Sequence, residues 1–181
     1  MKELPHIPRV ATYEQFKAFS DAGCKLTQLH VHFEEVVPYQ GVTIEYTKLG
    51  SPSFRVKKMN WGKIKGKTGN AAKDKTTLVY NNWITVHNVP LEAQEYVVNK
   101  KSALDWVVER TCVKIDKDSD IVNDFNDYAE EIGNFRYPLD LFLKIITVSL
   151  ETMRIVKSLP TLEIHRLDLT PKKVILETDV F

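Results

Sequence analysis

The sequence predicts an α+β fold in which a small antiparallel β-sheet, carrying a basic hairpin, packs on a helical core. Three observations predict it. Residues 12–35 and 139–159 repeat apolar side chains at helical spacing. Between them, residues 42–88 break into short β-branched and aromatic segments separated by glycine, proline and asparagine turns. The chain as a whole is almost neutral, at formal net charge +1, but net positive charge is concentrated in residues 55–75.

With 181 residues, 43% of them hydrophobic and 27% charged, the chain can bury the core of one good-sized domain. The opening Leu4-Pro5-His6-Ile7-Pro8 is extended and proline-stiffened, so residues 1–11 read as a linker from an upstream region. Residues 12–160 form the domain, and residues 161–181 a C-terminal extension. The two cysteines, Cys24 and Cys112, form no CxxC and support neither a zinc site nor a disulfide framework. The most apolar stretch, residues 139–150, is too short to span a bilayer and carries Asp140 and Lys144. The expectation is a soluble cytoplasmic domain with no membrane partner.

The elements follow in order. Thr12 and Gln15 form a capping box, and Phe16, Phe19, Gly23, Leu26, Leu29, His30 and Phe33 mark one buried stripe of a helix that ends at Pro38. Residues 42–47 form a strand, followed by a turn at Gly50-Ser51-Pro52. In residues 54–59, Phe54 and Val56 are expected to face inward, with Arg55, Lys57 and Met59 on the opposite side. Residues 62–70 are a glycine-lysine loop, residues 76–80 a strand, Asn81-Asn82 a tight turn and residues 83–87 a further strand. Residues 91–110 read as helical, with Tyr96, Val97, Ala103, Leu104, Val107 and Val108 on the core face and a break near Asn99. Residues 116–127 read as a polar loop. The helix at 139–159 is apolar nearly all round, the signature of a buried centre. Residues 161–181 look strand-like.

The basic run holds eight cations (Arg55, Lys57, Lys58, Lys63, Lys65, Lys67, Lys73 and Lys75) against one acid, Asp74. Such a concentration implies a polyanionic partner, and a strand-loop-strand element presents it well to a nucleic-acid backbone. The ordinary explanation, lysines protecting a sheet edge, needs fewer charges. Lysines position a protein on phosphates without reading sequence. Arg55, Asn60, Asn70, Asn81 and Asn82 have the donors and acceptors that base edges require. The expected DNA-binding set is Arg55, Lys57, Lys58, Asn60, Trp61, Lys63, Lys65, Lys67, Asn70, Lys73 and Lys75.

Other chemistries fail on context. Gly66-Lys67-Thr68 ends like a P-loop, but Trp61 stands where the first glycine belongs and no helix follows the threonine. His30 and His32, two residues apart on a helix, do not share a face, so no joint metal site is expected. The run from Asp116 to Asp120 starts like a calcium loop, yet Ile121 and Asp127 stand where glycine and glutamate are needed. No nucleophile elbow or paired catalytic histidine is present, so no catalytic residue, metal or cofactor is expected.

Several motifs together carry a resemblance. They are the opening Lys2-Glu-Leu-Pro-His-Ile-Pro8, the 54–59 run with Lys73-Asp-Lys-Thr-Thr77, and Asn99-Lys-Lys-Ser-Ala-Leu-Asp-Trp106. Val113-Lys-Ile-Asp-Lys-Asp-Ser119 with Ile121-Val-Asn-Asp124 completes them. The series resembles the C-terminal specificity region of the bacterial Type ISP restriction-modification enzymes, many of which go under the name of predicted helicases. It covers the chain to about residue 160. The resemblance implies a DNA-binding target-recognition domain without catalysis of its own. Its partners would be double-stranded DNA and the methyltransferase and helicase domains of a parent polypeptide. The family usually has glycine where Lys100 and Asp120 stand and proline where Phe125 stands, so altered turns are expected there. Two alternatives remain open: a domain that docks on the methyltransferase, with the basic loop incidental, and an RNA-binding domain using Trp61 for stacking.

Overall fold

The helix α4 (Tyr137–Lys157) explains the arrangement of the rest. Pro138 lies in its first turn, where no intrahelical N–H is lost, and Arg154 and Lys157 lie in its last turn, where they complement the helix dipole. Leu139, Phe142, Leu143, Ile146 and Ile155 are buried along it. Its buried hydroxyls are satisfied: Ser149 donates to the Ile145 carbonyl at 2.7 Å, and Thr152 bonds the His30 ring at 3.1 Å. The computed structural model describes residues 10–48, 50–64 and 72–162.

The helix α1 (Tyr13–Val31) starts on the Thr12 cap, whose side chain accepts from the Gln15 N–H, and a 3₁₀ turn follows at Phe33–Glu35. Strands β1 (Thr43–Tyr46), β2 (Asn60–Lys63), β3 (Lys73–Val79) and β4 (Ile84–His87) form one antiparallel sheet in the order β1-β4-β3-β2. Trp61, Leu78, Ile84 and Val86 point from it into a core shared with Leu104, Leu139, Phe142 and Ile146. The helix α2 (Ala103–Arg110) packs on α4, and so do α1 and α3 (Phe125–Glu131).

Several expectations need correction. Residues 54–58 are extended but do not join the sheet. The Asn126 side chain meets both backbone groups of Val56, at 2.9 and 2.8 Å, and Lys58 bridges Cys112 instead. A bend at Lys57 breaks the alternation, so Val56 and Met59 are both buried and Met59 does not share the basic face. In α1 the expected stripe is only partly used. Ala22 is buried, while Phe16 at 58% exposure and Gly23 lie open.

Residues 91–110 do break at Asn99, but the first half is not an α-helix. A 3₁₀ turn (Leu91–Glu95) leads into the two-residue strands β5 (Val97–Val98) and β6 (Lys101–Ser102). Val97, expected in the core, is exposed. Residues 116–127 are likewise not a loop throughout: β7 (Val113–Ile115) and β8 (Val122–Asp124) pair antiparallel, and α3 follows on an Asp124 cap. The Asp116 carboxylate organises the turn by accepting from the Asp118 and Ser119 N–H groups and the Ser119 hydroxyl. Strands of two or three residues are too short for alternation to mark them against the polar sequence around them. The strand-like reading of the C-terminal extension falls on residues 163–181, outside the described residues.

Lys100 and Asp120 keep the left-handed backbone that glycine adopts freely, with φ of 69° and 54°, so the missing glycines do not change the hand of these turns. Asn99, at φ 50°, gives the β5–β6 hairpin two left-handed residues in succession, the arrangement that suits a two-residue connection. Lys100→Gly and Asp120→Gly are each expected to raise stability by about 0.5–1 kcal/mol, read as the urea midpoint. A midpoint that stays put or falls would show that these turns carry no strain.

Candidate nucleic-acid interface

The hairpin that carries the basic run is irregular, and the irregularity shapes the site. Asn60 lies opposite Val79 and Trp61 opposite Leu78, but the next pairs are Gly62–Asp74 and Lys63–Lys73. Residues 75–77 therefore have no opposite number on β2. The Asp74 carboxylate fills the gap in bonding by accepting from the Thr76 N–H at 2.9 Å and the Thr76 hydroxyl at 2.6 Å. These bonds hold the Asp74 carboxyl below its usual range. Gly62 fits closely here: a Cβ at that position would stand 3.0 Å from Thr77 Cβ, so any side chain would have to displace Thr77 by a few tenths of an ångström.

Lys75, at the start of the bulge, turns inward. Its ammonium pairs with the Asp105 carboxylate and lies 4.7 Å from the Trp61 ring centre. Trp61 Nε1 donates to the same carboxylate at 2.8 Å. Asp105 is in turn fixed on α2, where its own N–H donates to the Ser102 cap hydroxyl at 3.0 Å, and that hydroxyl donates to Gln94. Burial pushes the Asp105 carboxyl up, but the bonds from Lys75 and Trp61 outweigh it and leave the group below the ordinary aspartate range. One carboxylate thus ties β2 and β3 to α2.

Between the hairpin and α2 lies an open cleft of about 1060 Å³. Lys58, Asn60, Lys63 and Lys73 line it from the sheet side, and Lys101, Asp105 and Glu109 from the other. Lys58, Lys63 and Lys73 are exposed, and the ion pairs among the described residues involve none of them. Lys101 pairs with Glu109 and sits 4.8 Å from the Trp106 ring centre.

The structure brings together only part of the expected set. Lys58, Asn60, Lys63, Lys73 and Lys75 meet at the cleft. Trp61 lines its floor but is only 6% exposed and committed to Asp105. Arg55 is turned to Asp124 and Glu130, away from the cleft. Lys57 is exposed and does not line the cleft, while its carbonyl accepts from the Val113 N–H. Lys65, Lys67 and Asn70 lie outside the described residues. Asn81 spends its side chain on backbone groups of Ser53, Arg55, Trp83 and Ile84. Asn82 is exposed in the β3–β4 turn. Lys101 and Glu109 were not in the expected set. Their signal was the Asn99–Arg110 motif, where Ser102, Asp105 and Trp106 are structural and these two face the cleft.

His30 stacks on Tyr96 at 5.6 Å and His32 bonds Glu35, so the two rings serve different contacts. Among the described residues, no group of three or more His, Cys, Asp or Glu side chains could hold a metal. No helix among them is long and apolar enough to cross a membrane.

The family model of the Type ISP C-terminal specificity domain matches residues 1–141. The chain belongs to this family. It is similar to a solved structure of a nuclease-deletion mutant of the Type ISP restriction-modification enzyme LlaGI in complex with a DNA substrate mimic. Identity there is 35% and the TM-score 0.71, over 91% of this chain. It is also similar to the ATP-dependent Type ISP enzyme LlaBIII bound to DNA, at 34% identity and TM-score 0.72 over 90% of this chain. A third likeness is to a DrdV–DNA complex, at 25% identity and TM-score 0.61 over 80% of this chain. The chain spans 14%, 10% and 14% of the length of those three chains. No curated protein matches it.

In this specificity domain the Asp105 clamp has measurable consequences. Asp105→Ala leaves the Trp61 N–H and the Lys75 ammonium without their acceptor and is expected to cost about 1–3 kcal/mol in urea unfolding. Because folding lowers the Asp105 pKa, protons bind more tightly to the unfolded chain. The stabilisation is therefore present above the ordinary aspartate range and lost as pH falls through the folded value. Asp105→Asn should be less acid-sensitive than the native chain over that interval. Equal pH profiles would remove the clamp from the account.

Proposed function

We propose that the chain is a double-stranded DNA target-recognition domain whose cleft between the β2–β3 hairpin and α2 faces the duplex. The observation that carries this reading is the convergence of Lys58, Lys63, Lys73, Lys75 and Lys101 on one open cleft in a chain of net charge +1. Family membership and two relatives solved with DNA or a DNA mimic support it. Lys58, Lys63 and Lys73, exposed on the sheet side, would neutralise phosphates, and Asn60, exposed among them, would approach base edges. Lys65, Lys67 and Asn70, which fall between β2 and β3 in sequence, would extend that contact. Arg55 and Trp61 serve the fold in this reading. The domain would confer recognition without catalysis, working beside the methyltransferase and helicase domains of a longer polypeptide. The RNA alternative relied on Trp61 as a stacking platform, and its burial argues against that role.

A salt series of duplex affinity tests the proposal. Log affinity should fall linearly with log salt, and Lys63→Ala and Lys73→Ala should each reduce the slope by about 1. Arg55→Ala should leave the slope unchanged. A flat salt dependence, or full affinity in a Lys58→Glu, Lys63→Glu, Lys73→Glu triple variant, would overturn the reading.

A further inference from the structure

The cleft holds two carboxylates that a polyanion site does not need. Asp105 is accounted for, since its Oδ1 accepts from both Trp61 and Lys75 and ties the hairpin to α2. Glu109 stands one helical turn further along the same face of α2 and lines the same cleft, with its side chain 51% exposed. Among the described residues its side chain bonds only Lys101. A carboxylate accepts hydrogen bonds and donates none, and beside incoming phosphates it is repelled.

We infer that Glu109 is a specificity-determining residue that reads a cytosine, accepting from its exocyclic amine in the major groove of a duplex seated in the cleft. The inference rests on the DNA reading of the cleft. The major groove presents two amine donors, cytosine N4 and adenine N6. Adenine places its N7 acceptor next to the amine, where it would oppose a carboxylate. The cytosine edge presents the donor alone, so an acceptor-only group selects cytosine. Lys101 balances the charge of Glu109, and its own ammonium is anchored over the Trp106 ring, which is pinned by an Nε1 bond to the Val98 carbonyl at 2.8 Å. The ion pair also holds the Glu109 carboxyl below its usual range, so it is ionised and purely an acceptor at neutral pH. In the absence of a duplex the same pair keeps the carboxylate from leaving the cleft wall.

The test is selection of bound duplexes from a randomised pool by the 181-residue chain and two variants, with binding measured at two salt concentrations. The native chain should prefer C·G at one position, with each other pair costing about tenfold or more there. Glu109→Ala should lose that preference alone, keep the others, and bind the unselected pool at least as tightly. Lys101→Met, which leaves the carboxylate in place, should weaken binding overall but keep the cytosine preference. The inference is overturned if Glu109→Ala selects the same sequences as the native chain, or if Lys101→Met loses the same preference, since Glu109 would then act only by holding a lysine. If the native chain binds duplex in a salt-dependent manner and either result appears, only this inference fails. If it shows no salt-dependent binding, the DNA reading fails and takes this inference with it.

Discussion

The Asp105 carboxylate takes bonds from Trp61 of β2 and Lys75 of β3 while its backbone is capped by Ser102 at the head of α2. The contact joins the two halves of the chain, since β2 and β3 lie far before α2 in sequence. It also settles a conflict. Trp61 and Lys75 belong to the most cationic stretch of the molecule, where self-repulsion would drive the strands away from the body of the domain. A single half-buried anion converts two members of that stretch into core contacts. With Trp61 held edge-on against Phe142 at 6.1 Å, β2 is also fixed against α4, and the cleft lies between this edge of the sheet and α2.

Elsewhere the domain relies on polar side chains acting as backbone. Asn126 binds the N–H and carbonyl of Val56 as a neighbouring strand would. Asn81 closes the β3–β4 turn and holds the segment from Ser53 to Arg55. Tyr80, fully buried, donates to the Phe54 carbonyl at 2.6 Å, and burial raises its hydroxyl far above the ordinary tyrosine range. These bonds satisfy an extended segment that the small sheet cannot take in, which would otherwise leave buried backbone groups unpaired.

The parts legible in the sequence were those whose cause is local. Helices α1 and α4 follow from apolar spacing, the Thr12 cap from one hydroxyl, and the basic hairpin from a density of charge that needs no tertiary knowledge. What was not legible depends on partners remote in sequence. Trp61 reads as an exposed aromatic within a basic loop until Asp105, 44 residues later, is placed beside it. Arg55 reads as a free cation, but its acidic partners lie 69 and 75 residues away. Met59 reads as outward-facing only under a strict alternation, which the bend at Lys57 interrupts. The far wall of the cleft, Lys101 and Glu109, carried no charge anomaly of its own, and the Asn99–Arg110 motif that contains them does not show which way they face.

The bulge in β3 has a consequence for how such a domain changes over generations. Leu78 and Val79 keep their partners on β4, Val86 and Thr85, independently of what happens beyond Trp61. Residues 75–77 act as slack between that fixed register and the arm formed by Gly62, Lys63, Lys73 and Asp74. A residue gained or lost between Lys63 and Lys73 can be absorbed there, without turning Trp61 or Leu78 to the wrong face. The arm that meets the outside world is thereby uncoupled from the core that supports it. The sequence between the two strands can change in length and charge while the fold underneath remains the same.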